Sequence, residues 1–594
     1  MKKTKIVSTL GPASNSVETI VKLIEAGANV FRFNFSHGDH KEQQERMQFV
    51  REAEKKTGKV VGLLLDTKGA EIRTTLQDTT DADYGRAGYI RFEVGDITRI
   101  AMDENLKGTK EKISVTYLGL FDDVHLGGHI LFDDGLIDMQ ILEKDETNHE
   151  LIVEVKNAGM LGSRKGVNAP GISLSLPGIT KKDEVDIRFG LTQGINFIAA
   201  SFVRKAQDVL DIIEILEETG NTHVKIISKL ESQEGIDNLD EIIAASDGIM
   251  IARGDLGVEI PAQNVPLVQK TIIRKTNAAG KPVVTATQML ESMQSNPRPT
   301  RAEASDVANA VIDGTDATML SGESANGKYP VDSVKMMATI DAKTEEYLTD
   351  FASLQLNKFD KTDVTETVGM SVARAAKNLG VKAIVAATES GHTAKMISKY
   401  RPQADILAIT FDEKVQRSLT INWGVQPIVA EKPRTTDEMF ELATKKAVEA
   451  KLAEEGDLIL ITAGVPVGER GTTNVMKVQL IGNKIVTGQG VGSVSIVGNA
   501  VIATSAADAK AKAVEGSILV VPVTNPTYLP AMKKAAAIVV EQGGLTSHAA
   551  VVGIAKGIPI VVSATDATKL ISTGQKITVD ARRGIIYNGE VVAI

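Results

Sequence analysis

Eight short apolar runs, most of them ending at Gly, Ser, Thr or a charged residue, recur as far as Leu320: Lys5–Thr9, Asn29–Phe35, Val60–Leu65, Ile195–Ala200, Val224–Ser228, Gly248–Ile251, Val283–Ala286 and Ala317–Leu320. Helical patterns such as Val17–Glu25 and Val209–Glu217 lie between most of them. Regular alternation of buried strand and helix implies parallel strands joined by right-handed crossovers. The alternation breaks once, after the third run. From residue 71 to about 169 the chain shows strand-like runs, Lys112–Tyr117, His129–Phe132, Leu136–Leu142 and Glu150–Val155, separated by Gly and Asp turns. This predicts an antiparallel β-barrel domain inserted into the alternating sequence. Without the insert, roughly 240 residues remain before about 342, close to the ~250 typical of a (β/α)8 TIM barrel. The expected class is therefore α/β.

A chain of 594 residues exceeds what one core supports, and ~150 residues per domain suggests about four domains. The expected divisions are residues 1–70 and 170–342 for the barrel, 71–169 for the insert, 343–478 for an α/β third domain, and 479–594 for a further α/β module. The third domain follows a polar stretch around Asp350–Asp363. It reads as a helix Thr365–Leu379, a strand Ala383–Ala387, a helix Ala394–Tyr400, a strand Ile406–Thr410 and a last strand Leu458–Thr462, leading into glycines at 464, 468 and 471.

A net charge of -9 argues against nucleic acid or an anionic membrane as the main partner. With no cysteine there is neither a disulfide framework nor thiol chemistry. The basic start, Met1-Lys-Lys-Thr-Lys5, is followed by an apolar run that stops at Gly11-Pro12, too short for a signal-peptide core, and no stretch approaches ~18 uninterrupted apolar residues. A soluble, cytoplasmic protein is expected.

In such barrels the active site lies at the carboxyl ends of the strands, so residues just past each apolar run should converge. The second run supplies Arg32, Asn34 and Ser36. The third supplies Asp66 and Thr67, with Arg73 close behind; the fifth Lys229 and Glu231; the sixth Asp255 after Gly254; the seventh Thr287; the eighth Ser321 and Glu323. Guanidinium and ammonium groups match phosphate and carboxylate, and carboxylates match Mg²⁺ or Mn²⁺. No His or Cys cluster has zinc spacing, which favours a hard, oxygen-liganded metal. A lysine and two carboxylates at neighbouring strand ends can hold a metal and a phosphate together, the minimal equipment for moving a phosphoryl group.

Asn34-Phe-Ser-His-Gly38, Leu65-Asp-Thr-Lys-Gly69 with Glu71-Ile-Arg73, Ile227-Ser-Lys-Leu-Glu231, Ala252-Arg-Gly-Asp-Leu-Gly257, Ala286-Thr-Gln-Met-Leu290 and Leu320-Ser-Gly-Glu323 stand in this order. Together they resemble the signature set of the pyruvate kinase family. The resemblance implies phosphoryl transfer from phosphoenolpyruvate to ADP, giving pyruvate and ATP. It also implies that Lys229 stabilises the transferring group, that Glu231 and Asp255 bind Mg²⁺ or Mn²⁺, and that Arg32, Arg73, Gly254 and Thr287 contact substrate. Asn34, Ser36, Asp66 and Thr67 resemble the oxygen cage for K⁺. Asn34, His37, Arg73 and Lys165, the last in Ser163-Arg-Lys-Gly-Val-Asn168 of the lid, fall on the nucleotide side. Ala70 and Phe33 depart from common family residues without removing a ligand. A metal-dependent carbon–carbon lyase would share Glu231 and Asp255 but needs no lid, and a silent scaffold would have lost Lys229 or a metal ligand.

Ser36-His37 does not read as a hydrolase dyad, because adjacent strand residues point to opposite faces. Thr388-Glu-Ser-Gly-His-Thr393 is either a helix cap by Thr393 or a phosphate cradle of hydroxyls and amides. In the resembled family this loop binds a phosphorylated activator, so Thr388, Ser390, Gly391 and Thr393 are the effector candidates and a homotetramer is implied. Gly488-Gln-Gly-Val-Gly492 lacks dinucleotide-binding spacing and reads as a turn or linker. Gly543-Gly-Leu-Thr-Ser-His548 resembles the phosphohistidine swivelling domain of phosphoenolpyruvate-utilising enzymes. No ATP-grasp partner domain accompanies it, so a structural or regulatory module is expected.

Overall fold

The computed structural model describes residues 2–78, 88–348, 364–464, 473–482 and 484–591. The polar stretch Asp350–Asp363 and the glycines at 468 and 471 lie outside the described residues. The chain divides into two compact units, one of Met1–Lys361 with Glu389–Arg401 and Thr410–Val429, the other of Thr362–Thr388, Pro402–Ile409 and Ala430–Ile594.

In the first unit, β1 (Lys5–Thr9), β2 (Val30–Asn34), β3 (Gly62–Asp66), β4 (Phe197–Ala200), β5 (Lys225–Leu230), β6 (Gly248–Ala252), β7 (Val283–Ala286) and β8 (Ala317–Leu320) close into a parallel barrel in chain order. Strand side chains alternate, which sorts every strand into two faces. Val7, Val30, Leu64, Phe197, Ala199, Ile227, Met250, Val284 and Ala317 fill the barrel interior. Their neighbours Ile6, Phe31, Phe33, Leu63, Leu65, Ile198, Ile226 and Ile249 pack under the helices instead. Phe33 therefore belongs to the helix layer, which explains why a change there spares the site. Helix boundaries follow local chemistry: Ser16 caps Val17–Ala26 by accepting from Thr19 N–H, and Gly27, at φ 122°, ends it.

Between β3 and β4 the chain builds a seven-stranded sheet ordered Ile72–Arg73, Gly166–Asn168, His129–Phe132, Ile137–Asp145, Glu150–Val155, Ile97–Ala101, Lys112–Ser114, plus a two-stranded pair, Tyr89–Phe92 with Gly159–Gly162. Pairing is antiparallel, as expected, except that Ile97–Ala101 runs parallel to Lys112–Ser114. Ile100, Ile113, Phe132, Met139, Leu151 and Val153 lead a core separate from the barrel's.

In the second unit Asp405–Thr410, Ala383–Ala387 and Leu458–Gly464 pair in parallel. Leu458–Gly464 is not the last strand: Thr473–Leu480 follows antiparallel to it and runs past residue 478. This edge strand mixes polar and apolar positions and is buried mainly at its ends, so it lacks the continuous apolar signal of the central strands. The final module is an eight-stranded sheet, its middle formed by Ser495–Ile502, Ile518–Val521, Ala537–Val540 and Ile560–Val562 in parallel. Gln489–Val491 is an edge strand antiparallel to Ile560–Val562, not a turn. Its glycines permit close packing, since a Cβ on Gly490 would lie 2.0 Å from Ala581 O. Leu480 packs with Tyr587 and Val591, so the module shares apolar contacts with the preceding sheet. Among the described residues no helix is long and apolar enough to cross a membrane.

Candidate functional site

The two-residue period carries charge directly above the barrel's apolar interior. Arg32 follows Val30, Asp66 follows Leu64, Ser201 follows Ala199, and Lys229 follows Ile227, each facing inward one step nearer the carboxyl ends. Lys229 Nζ donates to Ser201 Oγ at 2.8 Å and lies 3.2 Å from Asp66 Oδ1 and 3.0 Å from Glu231 Oε1. Arg32 pairs with the other oxygen of Asp66 and donates to Thr9 Oγ1 at 3.1 Å. Burial opposes ionisation of Asp66, yet Arg32 and Lys229 hold its carboxyl below the usual range. Burial likewise pushes Lys229 toward neutrality, but Asp66 and Glu231 override it and raise its pKa. The ammonium is kept charged.

Glu231 is 1% exposed. Burial raises its pKa to about 7 despite Lys229, and Asp255 adds to the rise. Asp255, on the helix Arg253–Glu259 that follows β6, is also raised, by burial first and by neighbouring acids including Asp134 and Glu71. Two carboxylates in one partly desolvated place are the donors a hard divalent ion requires. Among the described residues no three His, Cys, Asp or Glu side chains converge on a metal position.

The helix that follows β6 and the turn that follows β7 meet where the backbone is strained. Thr287 and Gln288 have φ of 65° and 53°, unusual for residues with a Cβ and more so for a β-branched one. Thr287 Oγ1 accepts from Gly254 N–H at 2.8 Å and donates to Ala286 O at 2.7 Å. Arg253 clamps the turn by donating to Ala286 O at 3.1 Å and Thr287 O at 2.8 Å, and is itself paired with Asp306 at 2.7 Å.

Beside this cluster a cleft of about 420 Å³ opens between insert and barrel, lined by Arg73, Lys165, Glu231, Asp255 and Glu259 among others. Arg73 donates to Glu71 at 2.7 Å and to Arg164 O at 2.9 Å. Lys165 is paired with Asp133 at 2.9 Å. The Asn34 backbone pairs in register with Asp66, but Asn34 Oδ1 accepts from its own turn, at Ser36 N–H 3.0 Å away. The carbonyls of Asn34 and His37 accept from Gln43. Ser36 and His37 lie in that turn beyond β2, so the strand-face argument does not apply to them. Thr67 Oγ1 accepts from Ser201 N–H at 3.0 Å.

Of the expected residues, the structure thus joins Arg32, Asp66, Lys229 and Glu231 in one network and Gly254 with Thr287 in another, with Asp255, Arg73 and Lys165 on the cleft. Ser201 and Arg253 were missed. Ser201 was legible by the same rule as the others, since it follows the apolar run ending at Ala200. Away from the barrel mouth, Gly391 (φ 83°), not Thr393, caps the helix His392–Lys399, which starts two residues before the expected Ala394 and has no side-chain cap. Thr388 and Thr393 are buried and Ser390 is exposed.

Family models described as pyruvate kinase barrel domain, pyruvate kinase alpha/beta domain and PEP-utilising enzyme mobile domain match residues 1–334, 366–479 and 513–584. The chain is 61% identical over 594 residues to a pyruvate kinase of Lactobacillus delbrueckii subsp. bulgaricus, covering 100% of both. It is 54% identical over 590 residues to that of Geobacillus stearothermophilus, covering 99% of each. Its structure resembles the crystal structure of a pyruvate kinase from Cryptosporidium parvum with TM-score 0.75 and 40% identity, over 81% of this chain and 96% of the other. With a closed parallel barrel, an inserted β-domain and a charged strand-end network already in place, these full-length likenesses establish that the chain belongs to the pyruvate kinase family of phosphotransferases.

Proposed function

We propose that this chain transfers the phosphoryl group of phosphoenolpyruvate to ADP, forming ATP and the enolate of pyruvate, which takes a proton at its terminal carbon. The observation that carries the reading is Lys229, 9% exposed and held charged between Asp66 and Glu231 beside Asp255. Phosphoryl transfer asks for positioning and for positive charge on the equatorial oxygens, and a preorganised ammonium in a dry site supplies the second. In this reading Arg32, Arg73, Gly254 and Thr287 position phosphoenolpyruvate, while Asn34, His37, Arg73 and Lys165 face the nucleotide. Thr287 Oγ–H donates to Ala286 O, which weighs against that hydroxyl as the direct donor of the enolate proton.

Glu231 and Asp255 would hold Mg²⁺ or Mn²⁺, which when bound neutralises phosphoryl charge. Asn34, Ser36, Asp66 and Thr67 would hold K⁺, and the carboxylate of Glu71, where an ammonium could stand in for the ion, supports that requirement. The Thr388, Ser390, Gly391 and Thr393 loop would take a phosphorylated activator in a homotetramer, a reading supported by the three hydroxyl residues placed around the helix start at Gly391. The extra C-terminal module is assigned a structural or regulatory role. A coupled assay of pyruvate formation from phosphoenolpyruvate tests the reading. Activity should require ADP, Mg²⁺ and K⁺; pyruvate release independent of ADP would replace it with a lyase or phosphatase.

A further inference from the structure

The short helix Arg253–Glu259 bears Gly254 and Asp255 at its start, and its far end meets the inserted domain. Asn168 Nδ2, on the insert strand Gly166–Asn168, donates to Glu259 Oε1 at 2.8 Å. A Cβ on Gly135 of the insert would lie 3.7 Å from Val258 Cγ1, ordinary van der Waals contact. Gly135 closes a turn in which Asp133, Asp134 and Gly135 all have positive φ, 52°, 57° and 83°. That turn's Asp133 holds Lys165, which stands three residues before Asn168 on the same segment. The insert therefore meets the helix through the Asn168–Glu259 bond, with Gly135 close to Val258 beside it, and both segments lead back to Lys165.

We propose that Asn168 and Glu259 form a latch, acting as positioning residues that tie the nucleotide side of the cleft to the helix bearing Asp255. Neither touches the reacting atoms. The latch holds the insert where Lys165 can reach nucleotide phosphates, so it sets the fraction of molecules already in the binding-competent arrangement. An apparent dissociation constant scales inversely with that fraction, whereas nucleotide at saturation restores it. Loss of the latch should therefore raise KM for ADP and spare kcat. Glu259 serves as acceptor only, and a glutamine carbonyl can accept the same hydrogen bond from Asn168.

The inference rests on the phosphoryl-transfer reading, and its failure is separable: an inactive parent enzyme overturns the activity, while the latch is judged on variants of an active one. In the full-length protein, Asn168→Ala and Glu259→Ala should each raise KM for ADP about five- to tenfold with kcat within about threefold, and KM for phosphoenolpyruvate should change less than that for ADP. The double variant should match the single ones, because one interaction can be lost only once. Glu259→Gln should stay within about twofold of the parent, and it carries the test if either alanine variant fails to fold. Multiplicative effects in the double variant, a fall in kcat at unchanged KM for ADP, or a Glu259→Gln defect as large as that of Glu259→Ala would overturn the latch.

Discussion

Lys229 owes its charge to two carboxylates that compete for it, and removing the ammonium would leave Asp66 and Glu231 buried with less compensation. Lys229→Met should lower kcat by at least two orders of magnitude, since a preorganised cation on a transferring phosphoryl contributes more than ~3 kcal/mol to the barrier. An unchanged circular dichroism spectrum would show that the fold survives, and a rate within tenfold of the parent would remove Lys229 from the chemistry. Glu231 makes a second prediction. Its pKa is raised from 4.5 to about 7 by burial, so without metal its contribution to stability is fully present below about 4.5 and is lost as pH rises through about 7. A divalent ion binds the ionised form, so Mg²⁺ should raise the melting temperature more at pH 8 than at pH 6. Equal shifts at both pH values, measured against EDTA, would contradict this. Most of this network could be read from residue type plus the rule that barrel sites gather at strand ends. Distances could not, and neither could the partners of Arg253, because Asp306 and the Thr287 carbonyl are brought to it by packing that no local pattern encodes.

At the scale of elements, the barrel was legible because its strands are buried on both faces along most of their length and so read as short, mainly apolar runs. The third domain and the final module were harder. Thr473–Leu480 hides its strand character at a sheet edge, and Gln489–Val491 hides behind glycines that exist for close backbone approach. The helix His392–Lys399 was placed late because its start is a left-handed glycine in place of a Ser or Thr cap. That start motivates a prediction for the element. Replacing Ser390 and Thr393 together by Ala should weaken activation by a phosphorylated metabolite, seen as a smaller drop in KM for phosphoenolpyruvate, while turnover at full activation is unchanged. Activation that survives intact would move the effector away from this loop.

On the scale of the whole molecule, the barrel and its insert carry every residue assigned to the chemistry, and the module after Leu480 carries none. His548 opens the helix His548–Lys556, with its Nδ1 3.1 Å from Thr524 Oγ1 and Ser547 as the cap. Truncation after Leu480 should therefore leave pyruvate formation at saturating phosphoenolpyruvate and ADP within about threefold of the parent. It should also lower the melting temperature, because Leu480, now 8% exposed, would lose Tyr587 and Val591, and burying one such side chain contributes roughly 2 kcal/mol. His548→Ala leaves that apolar contact intact, so it should change neither turnover nor melting. The comparison separates two roles for the module. If His548→Ala alone abolishes pyruvate formation, or if the full chain takes up ³²P from labelled phosphoenolpyruvate at a catalytic rate and the variant does not, His548 carries phosphate during turnover. If only the truncation acts, and acts on melting, the module is a brace for the sheet that ends at Leu480.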